Sequence, residues 1–218
     1  MKSKVTFALL VAILMHSAPA IAKDSDEGRR YIKIYGGTNF LSDKSYDQTN
    51  VAAVGATGTS SFDTGMMTGA AVGYFFTDHT AAEIAWDYRR NESDNNTFSD
   101  GANFSSGDYA SNIFFLNGFY HFDRIMESKL RPYLGVGLGY VQEIDLDLEA
   151  GSYSSGGEFA TQFVAGTSYS LSKNWDLNAD VRFVRASGMN LDKENGAGTI
   201  KGIDYNPITL SVGAVYKF

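Results

Sequence analysis

Apolar and polar residues alternate with a period of two through most of this chain, the pattern of strands whose two faces meet different surroundings. Eight segments show it. The first, Tyr31 to Phe40, places Ile32, Ile34, Gly36, Thr38 and Phe40 on one face and Lys33, Tyr35, Gly37 and Asn39 on the other. In the second, from about 63 to 76, Met66, Ala70, Val72, Tyr74 and Phe76 oppose Gly65, Gly69 and Gly73. The third sets Ala82, Ile84, Trp86 and Tyr88 against Glu83, Asp87 and Arg89, and the fourth, about 110–122, sets Phe114, Leu116, Tyr120 and Phe122 against Asn117 and His121. The fifth opens at Pro132, where a missing N–H costs little, and presents Leu134, Val136, Leu138 and Tyr140 opposite Gly135, Gly137 and Gly139. In the sixth, about 158–171, Phe159, Phe163, Ala165, Tyr169 and Leu171 face away from Glu158, Gln162, Gly166 and Ser168. The seventh opposes Trp175, Leu177, Ala179, Val181 and Phe183 to Asp176, Asn178, Asp180 and Arg182. The eighth runs to the last residue: Ile208, Leu210, Val212, Ala214, Tyr216 and Phe218 share a face opposite Thr209, Ser211, Gly213, Val215 and Lys217.

Alternation predicts a closed all-β barrel but does not say which face is outside. A soluble lipocalin-like barrel would carry the same stripe with its apolar side inward. Two features favour the opposite arrangement, an eight-stranded antiparallel barrel spanning a membrane. Aromatic residues crowd the strand ends beside the short turns: Tyr74, Phe76, Tyr120, Phe122, Tyr169, Trp175, Tyr216 and Phe218. Rings at that level suit a membrane–water interface. Glycines recur on the polar face of the second and fifth segments, which fits a crowded interior. The connections alternate in length, so the short ones (77–79, 123–131, 172–174) are expected to be periplasmic and the long ones (about 41–61, 91–108, 150–157, 185–204) extracellular. The long ones are rich in Ser, Thr, Asn, Asp and Gly and read as hydrated loops with no core of their own. Residues 91–108 carry Glu92, Asp94, Asp100 and Asp108 with no basic residue among them.

The N-terminus reads as an export signal. Lys2 and Lys4 precede an apolar run, Val5 to Met15, and Ala20-Ile21-Ala22 offers a cleavage site. The run is shorter than the roughly 20 residues a membrane-spanning helix needs. Residues 1–22 are thus expected to be removed, leaving residues 23–218 as one barrel domain and changing the net charge from −7 to −9 through loss of two lysines and no acids. There is no cysteine, which excludes disulfides, thiolate metal sites and a lipid-modified N-terminal cysteine. The acidic balance argues against nucleic acid or anionic lipid as a main partner. No cofactor is implied.

Several runs carry a family resemblance. Leu130-Arg131-Pro132-Tyr133-Leu134-Gly135-Val136-Gly137-Leu138-Gly139-Tyr140 and the stretch from Gly166 to Phe183 resemble the opacity-like eight-stranded outer-membrane barrels. The ending Leu210-Ser211-Val212-Gly213-Ala214-Val215-Tyr216-Lys217-Phe218 is similar to that of neisserial surface protein A and its relatives. The resemblance covers nearly the whole expected mature chain and is weakest in the long loops. It implies a surface-exposed protein of the Gram-negative outer membrane with an adhesin-like or porin-like role, embedded among outer-membrane lipid and lipopolysaccharide. It also implies that Phe218 is the signal read by the barrel-assembly machinery. A host or environmental ligand would bind the extracellular loops.

Three chemistries remain to be weighed. Eight strands enclose a space that side chains just fill. The expected inward charges are Lys33, Arg89, Arg182 and Lys217 against Glu83, Asp87, Glu158, Asp176 and Asp180, nearly balanced and suited to a salt-bridged plug; the alternative is a narrow ion path along them. Glu143, Asp145, Asp147 and Glu149 keep the parity of the inward glycines and are expected to form an acidic rim at the barrel mouth. Carboxylates two residues apart on a strand lie roughly 7 Å from one another, so Ca²⁺ there would need ligands from another loop. A lipid-acting hydrolase would need a serine near His79 or His121, and neither has one within two positions. The sequence therefore predicts a protein that is not an enzyme and holds no metal.

Overall fold

A strand with one apolar and one polar face is stable only where those faces meet different media, and a sheet in lipid must leave no unpaired edge. The computed structural model describes residues 25–49, 56–98, 103–104, 107–125, 129–148, 151–195 and 198–218. The expected signal segment 1–22, and with it Asp100 and Glu149, lies outside them. Among the described residues thirteen strands form: β1 Arg30–Phe40, β2 Lys44–Thr49, β3 Ala56–Phe62, β4 Gly65–Phe75, β5 Thr80–Phe98, β6 Asn103–Phe104, β7 Gly107–His121, β8 Leu130–Leu148, β9 Gly151–Ser155, β10 Phe159–Ser170, β11 Trp175–Lys193, β12 Thr199–Tyr205 and β13 Ile208–Lys217.

Their pairing closes twice. At the end bearing the short turns, the antiparallel cycle is β1–β4–β5–β7–β8–β10–β11–β13 and back to β1. Tyr31 sits opposite Lys217 on one side and Gly73 on the other, so the last strand seals against the first. At the other end a second cycle runs β2–β3–β5–β7–β8–β9–β11–β12 and back to β2. The long strands β5, β8 and β11, 19 residues each, belong to both. Five of the strands therefore fall inside segments expected to be loops. The expectation of hydrated loops without a core is overturned by what fills this second storey.

In the lower storey the apolar face is outside. Leu138 and Val212 are each 68% exposed, and Ile34, Leu116, Leu134, Val136 and Leu210 join them in one band. Such a belt belongs in lipid rather than water. At the short-turn end the aromatic rings touch in series: Tyr74 with Phe76, Tyr120 with Phe122, and Trp175 with Tyr216, which stacks on Phe218. Tyr169 is also exposed at this level. A second set, Tyr140 with Phe159 and Phe163 with Phe183, marks the upper edge. Leu130 to Tyr140 is ten residue steps, roughly 33 Å of strand at about 3.3 Å per residue. Tilted by about 40°, that height is close to the roughly 25 Å apolar band of outer-membrane barrels.

Above that edge the faces exchange. Val141, Ile144 and Leu146 of β8 are buried, together with Tyr109, Tyr153, Met189, Leu191, Ile200, Ile203 and Tyr205, in one apolar core. The exchange is made by β-bulges. Ile113 pairs with Val141 but Asn112 pairs with Glu143, so Gln142 is an extra residue. A comparable shift follows Ala186 on β11, where Gly188 adopts φ 71°, a conformation glycine takes without strain. One extra residue turns every later side chain to the other face. Along β8 the even-numbered apolar residues therefore face outward up to Tyr140 and inward from Ile144, and the alternation is inverted only at Val141-Gln142, where the bulge lies.

Candidate functional site

The lower lumen is built from the polar face of the same strands. Lys33, Glu83, Asp87, Arg89, Asp176, Asp180, Arg182 and Lys217 are all buried. Two ion-pair groups form. In the upper one, Arg182 Nε lies 2.8 Å from Asp180 Oδ1, Lys33 Nζ 3.4 Å from Asp180 Oδ2 and Arg89 Nη2 2.8 Å from Asp87 Oδ2. Arg182 Nη1 reaches to 3.9 Å from Asp87 and links the two pairs. The hydroxyl of Tyr133 donates to Asp180 at 2.7 Å, and those of Ser211 and Tyr35 donate to Asp180 and Asp87. The Arg182 guanidinium also lies 4.2 Å from the centre of the Tyr35 ring. Arg89 Nε donates to the Thr209 hydroxyl at 3.3 Å, which in turn donates to Asn39 at 2.8 Å.

Nearer the short-turn end, Lys217 Nζ bridges Asp176 at 2.8 Å and Asp26 at 3.0 Å, and Arg131 joins Asp26 at 3.3 Å. Between the two groups Glu83 accepts from Tyr31 at 3.0 Å and from Asn117 at 3.1 Å, and Asn117 accepts from Gln162 at 3.1 Å. Glu158 stands apart. It is half-buried at the storey boundary and accepts a hydrogen bond from Ser155, away from both groups.

Glycine makes this filling sterically attainable. A Cβ on Gly139 would lie 2.6 Å from the Phe115 ring, and one on Gly69 2.5 Å from the Tyr35 ring. The rings occupy the space the glycines vacate. What remains open between the two ion-pair groups is a cavity of about 20 Å³ bordered by Tyr31, Lys33, Glu83, His121 and Tyr133. That is room for about one water. Tyr31, Tyr35, Tyr133, Asn39, Asn117, Gln162, Thr209 and Ser211 carry much of this network and were not singled out as site residues from the sequence. Their signal was present: all but Asn117 share strand parity with a charged residue, and Asn117 shares it with His121.

The acidic rim is a correction. Gln142 breaks the register, so Glu143 and Asp147 are exposed and Asp145 half-buried on the outer surface, while Ile144 and Leu146 take the inward positions. Burial, with the charges of Asp147, Glu194 and Glu143, pushes the Asp145 carboxyl up to about 6. Among the described residues no three His, Asp or Glu side chains are grouped closely enough to hold a metal ion. Asp108, expected without a partner, meets Arg90 in a forked pair, Nη2 to Oδ2 2.7 Å and Nε to Oδ1 3.2 Å.

Neither histidine is placed as a general base for a serine. His79 Nδ1 lies 2.9 Å from the His121 carbonyl, and the His121 ring packs against Phe75, Phe119 and Tyr133. Close to His79, Asp78 Oδ1 accepts hydrogen bonds from the Ser25 hydroxyl and from the backbone N–H groups of Asp26 and Glu27. The Ser25 bond foremost holds the Asp78 carboxyl below its ordinary range. This latch fixes the segment that delivers Asp26 and Arg29 to the short-turn end.

Comparison with known proteins places this architecture. Residues 7–218 match the family described as outer membrane protein beta-barrel domain. The chain belongs to that family. It is an outer-membrane β-barrel protein of a Gram-negative bacterium. Among curated proteins, outer membrane protein AlkL of Ectopseudomonas oleovorans is 34% identical over 121 residues, 52% of this chain and 48% of AlkL. The match thus spans about half the length of that relative. Among solved structures, OprG of Pseudomonas aeruginosa superposes with a TM-score of 0.61 at 18% identity, over 89% of this chain and 98% of OprG. Neisserial surface protein A gives a TM-score of 0.54 at 21% identity, over 88% of this chain and 100% of that one. Both likenesses concern the fold of this barrel.

Proposed function

We propose that this protein is a closed eight-stranded transmembrane barrel that acts at the cell surface through its upper storey, in a structural or adhesin-like role rather than as a channel or an enzyme. The short turns face the periplasm and the second storey stands outside the cell. One observation carries the reading: the lumen is filled twice in series. The lower storey is crossed by the buried Lys33–Asp180–Arg182–Asp87–Arg89 cluster, and the upper one is packed with Tyr109, Ile144, Leu146, Met189, Leu191 and Ile203, each at most 2% exposed. An ion would have to break paired charges in a low-dielectric space and then cross a dry apolar layer.

The upper storey is suited to presentation. β8 continues eight residues past Tyr140, roughly 26 Å of strand, before its connection begins. Paired strands hold that connection clear of the lipopolysaccharide headgroups and spend little ordering entropy on binding. Lipid and lipopolysaccharide surround the apolar band, and a host or environmental ligand meets the strand connections. Phe218 is the residue offered to the barrel-assembly machinery; its backbone pairs with Arg30 and its ring stacks on Tyr216.

The test is single-channel conductance of the refolded protein in a planar bilayer, with insertion verified by protease protection. Inserted protein should give no unitary steps. Reproducible steps whose ion selectivity changes on Asp87→Asn would replace this reading with that of a small pore.

A further inference from the structure

The chain as a whole is acidic, with 25 Asp and Glu against 18 Lys and Arg, yet its short-turn end holds a basic cavity. This cavity has a volume of about 420 Å³ and is lined by Arg29, Arg124, Lys129, Lys173 and Lys217, with Asp26 the only carboxylate on its wall among the described residues and Ser170, Leu171 and Ser172 completing it. Asp26 is already committed: Arg29 lies 3.6 Å, Arg131 3.3 Å and Lys217 3.0 Å from its oxygens. Asp26, shared among these three cations, and Asp176, 2.8 Å from Lys217, leave the cavity with an excess of positive charge, and no acid lies within ion-pair distance of Arg124 or Lys129 among the described residues.

We propose that this cavity binds a phosphate group. The geometry favours an oxyanion with several acceptor oxygens. Arg29 is held across the cavity by donating to the backbone carbonyls of Lys173 and Lys217, so its guanidinium is oriented before any ligand arrives. Arg124 and Lys129 belong to the turn between β7 and β8, and Lys173 to the turn between β10 and β11, so the cationic residues on the wall come from separate elements. Forked guanidinium donors match phosphate oxygens two at a time, and ammonium groups add charge without directional demand. Lys217, only 3% exposed, is pinned at the cavity floor by Asp26 and Asp176.

Position bears on where the phosphate comes from. Leu171 on the cavity wall is half exposed, and Tyr169 and Trp175 of the aromatic girdle lie within a few residues of it. The cavity thus opens at the level where lipid headgroups begin. A phospholipid phosphate from the adjoining leaflet and a free phosphate from the aqueous side present the same chemistry. Assigning this end to the periplasm decides which leaflet and which compartment supply it, and does not affect binding itself.

The experiment uses the full refolded barrel in maltoside micelles, which contain no phosphate. Inorganic phosphate is titrated calorimetrically at constant ionic strength against chloride, and lipid retention is read by native mass spectrometry with phosphatidylglycerol against diacylglycerol. Arg124→Ala combined with Lys129→Ala, both on an exposed turn, should weaken binding roughly tenfold or more, as expected for losing two charge-assisted partners. Lys173→Ala supplies an independent variant on another turn. Arg185→Ala with Lys201→Ala, which removes the same charge from the far end, should leave binding unchanged. Calorimetric binding lost in the double variant assigns a free phosphate; retention of phosphatidylglycerol alone, likewise lost, assigns a headgroup. Binding of neither probe, or binding that survives Arg124→Ala/Lys129→Ala, overturns the proposal. A conducting barrel would leave these outcomes unaltered, so the two readings fail separately.

Discussion

Asp180 is where the closed lumen is most exposed to refutation. Its carboxylate accepts from Arg182 Nε at 2.8 Å, from Tyr133 at 2.7 Å and from Ser211, and faces Lys33 Nζ at 3.4 Å, with its side chain 1% exposed. Asp180→Asn keeps the shape, removes the charge and turns an amide donor toward donors. Lys33 then has no carboxylate within ion-pair distance among the described residues, and Arg182 keeps only the 3.9 Å approach to Asp87. Stranding a buried charge in this way costs about 3–5 kcal/mol. The assay is reversible urea unfolding in lipid vesicles, followed by tryptophan fluorescence. Adding Lys33→Met removes the stranded ammonium, so the double variant should recover about 1–3 kcal/mol relative to the sum of the single changes. If Asp180→Asn costs under about 1 kcal/mol and the changes are additive, the cluster is screened as an exposed pair would be. The lumen would then be wet, and the reasoning that denies conduction would fail with it.

Other consequences can be checked separately. Because the chain contains no cysteine, single replacements report facing directly: Glu143→Cys and Asp147→Cys should react with a membrane-impermeant maleimide on intact cells, while Ile144→Cys and Leu146→Cys should not. The opposite pattern would remove the bulge at Gln142. Asp145, whose folded-state carboxyl is raised to about 6, binds more protons folded than unfolded between about pH 4 and 6, so stability falls as pH rises through that window. Asp145→Asn should flatten this dependence in urea midpoints and stabilise the barrel above pH 6; an unchanged slope would contradict it. Gly139→Ala forces a methyl against the Phe115 ring and should cost about 1–3 kcal/mol in the same unfolding assay, with Phe115→Leu restoring part of the loss.

Much of the lower storey was legible in advance because lipid enforces a strict rule: an outward residue must be apolar, and the residue after it must not waste that face. Lys33, Asp87, Arg89, Asp180, Arg182 and Lys217 could be read as one set from parity alone. Their pairing could not. The contact of Lys33 with Asp180 joins residues 147 positions apart, and only the barrel's closure and stagger bring them together. Glu158 shows the limit of parity, since it shares the face of Gln162 yet sits at the storey boundary beside Ser155.

The acidic rim shows a deeper limit. From Leu134 to Leu148 the apolar residues keep to even positions except at Val141-Gln142, and the sequence by itself determined that these residues form a strand with one apolar face. It also determined the girdle of aromatic residues and the small residues that admit rings to the lumen, because each depends on local composition and spacing. Which way the apolar face points above Tyr140 was decided by the tertiary structure. Outside the barrel the medium changes there from lipid to water, and the apolar side is stable only if it turns inward; Gln142 and Gly188 supply the extra residues that turn it. The same alternation that anchors one storey in the membrane builds a dry core in the other, because a period of two says that two faces differ but not which medium each one meets.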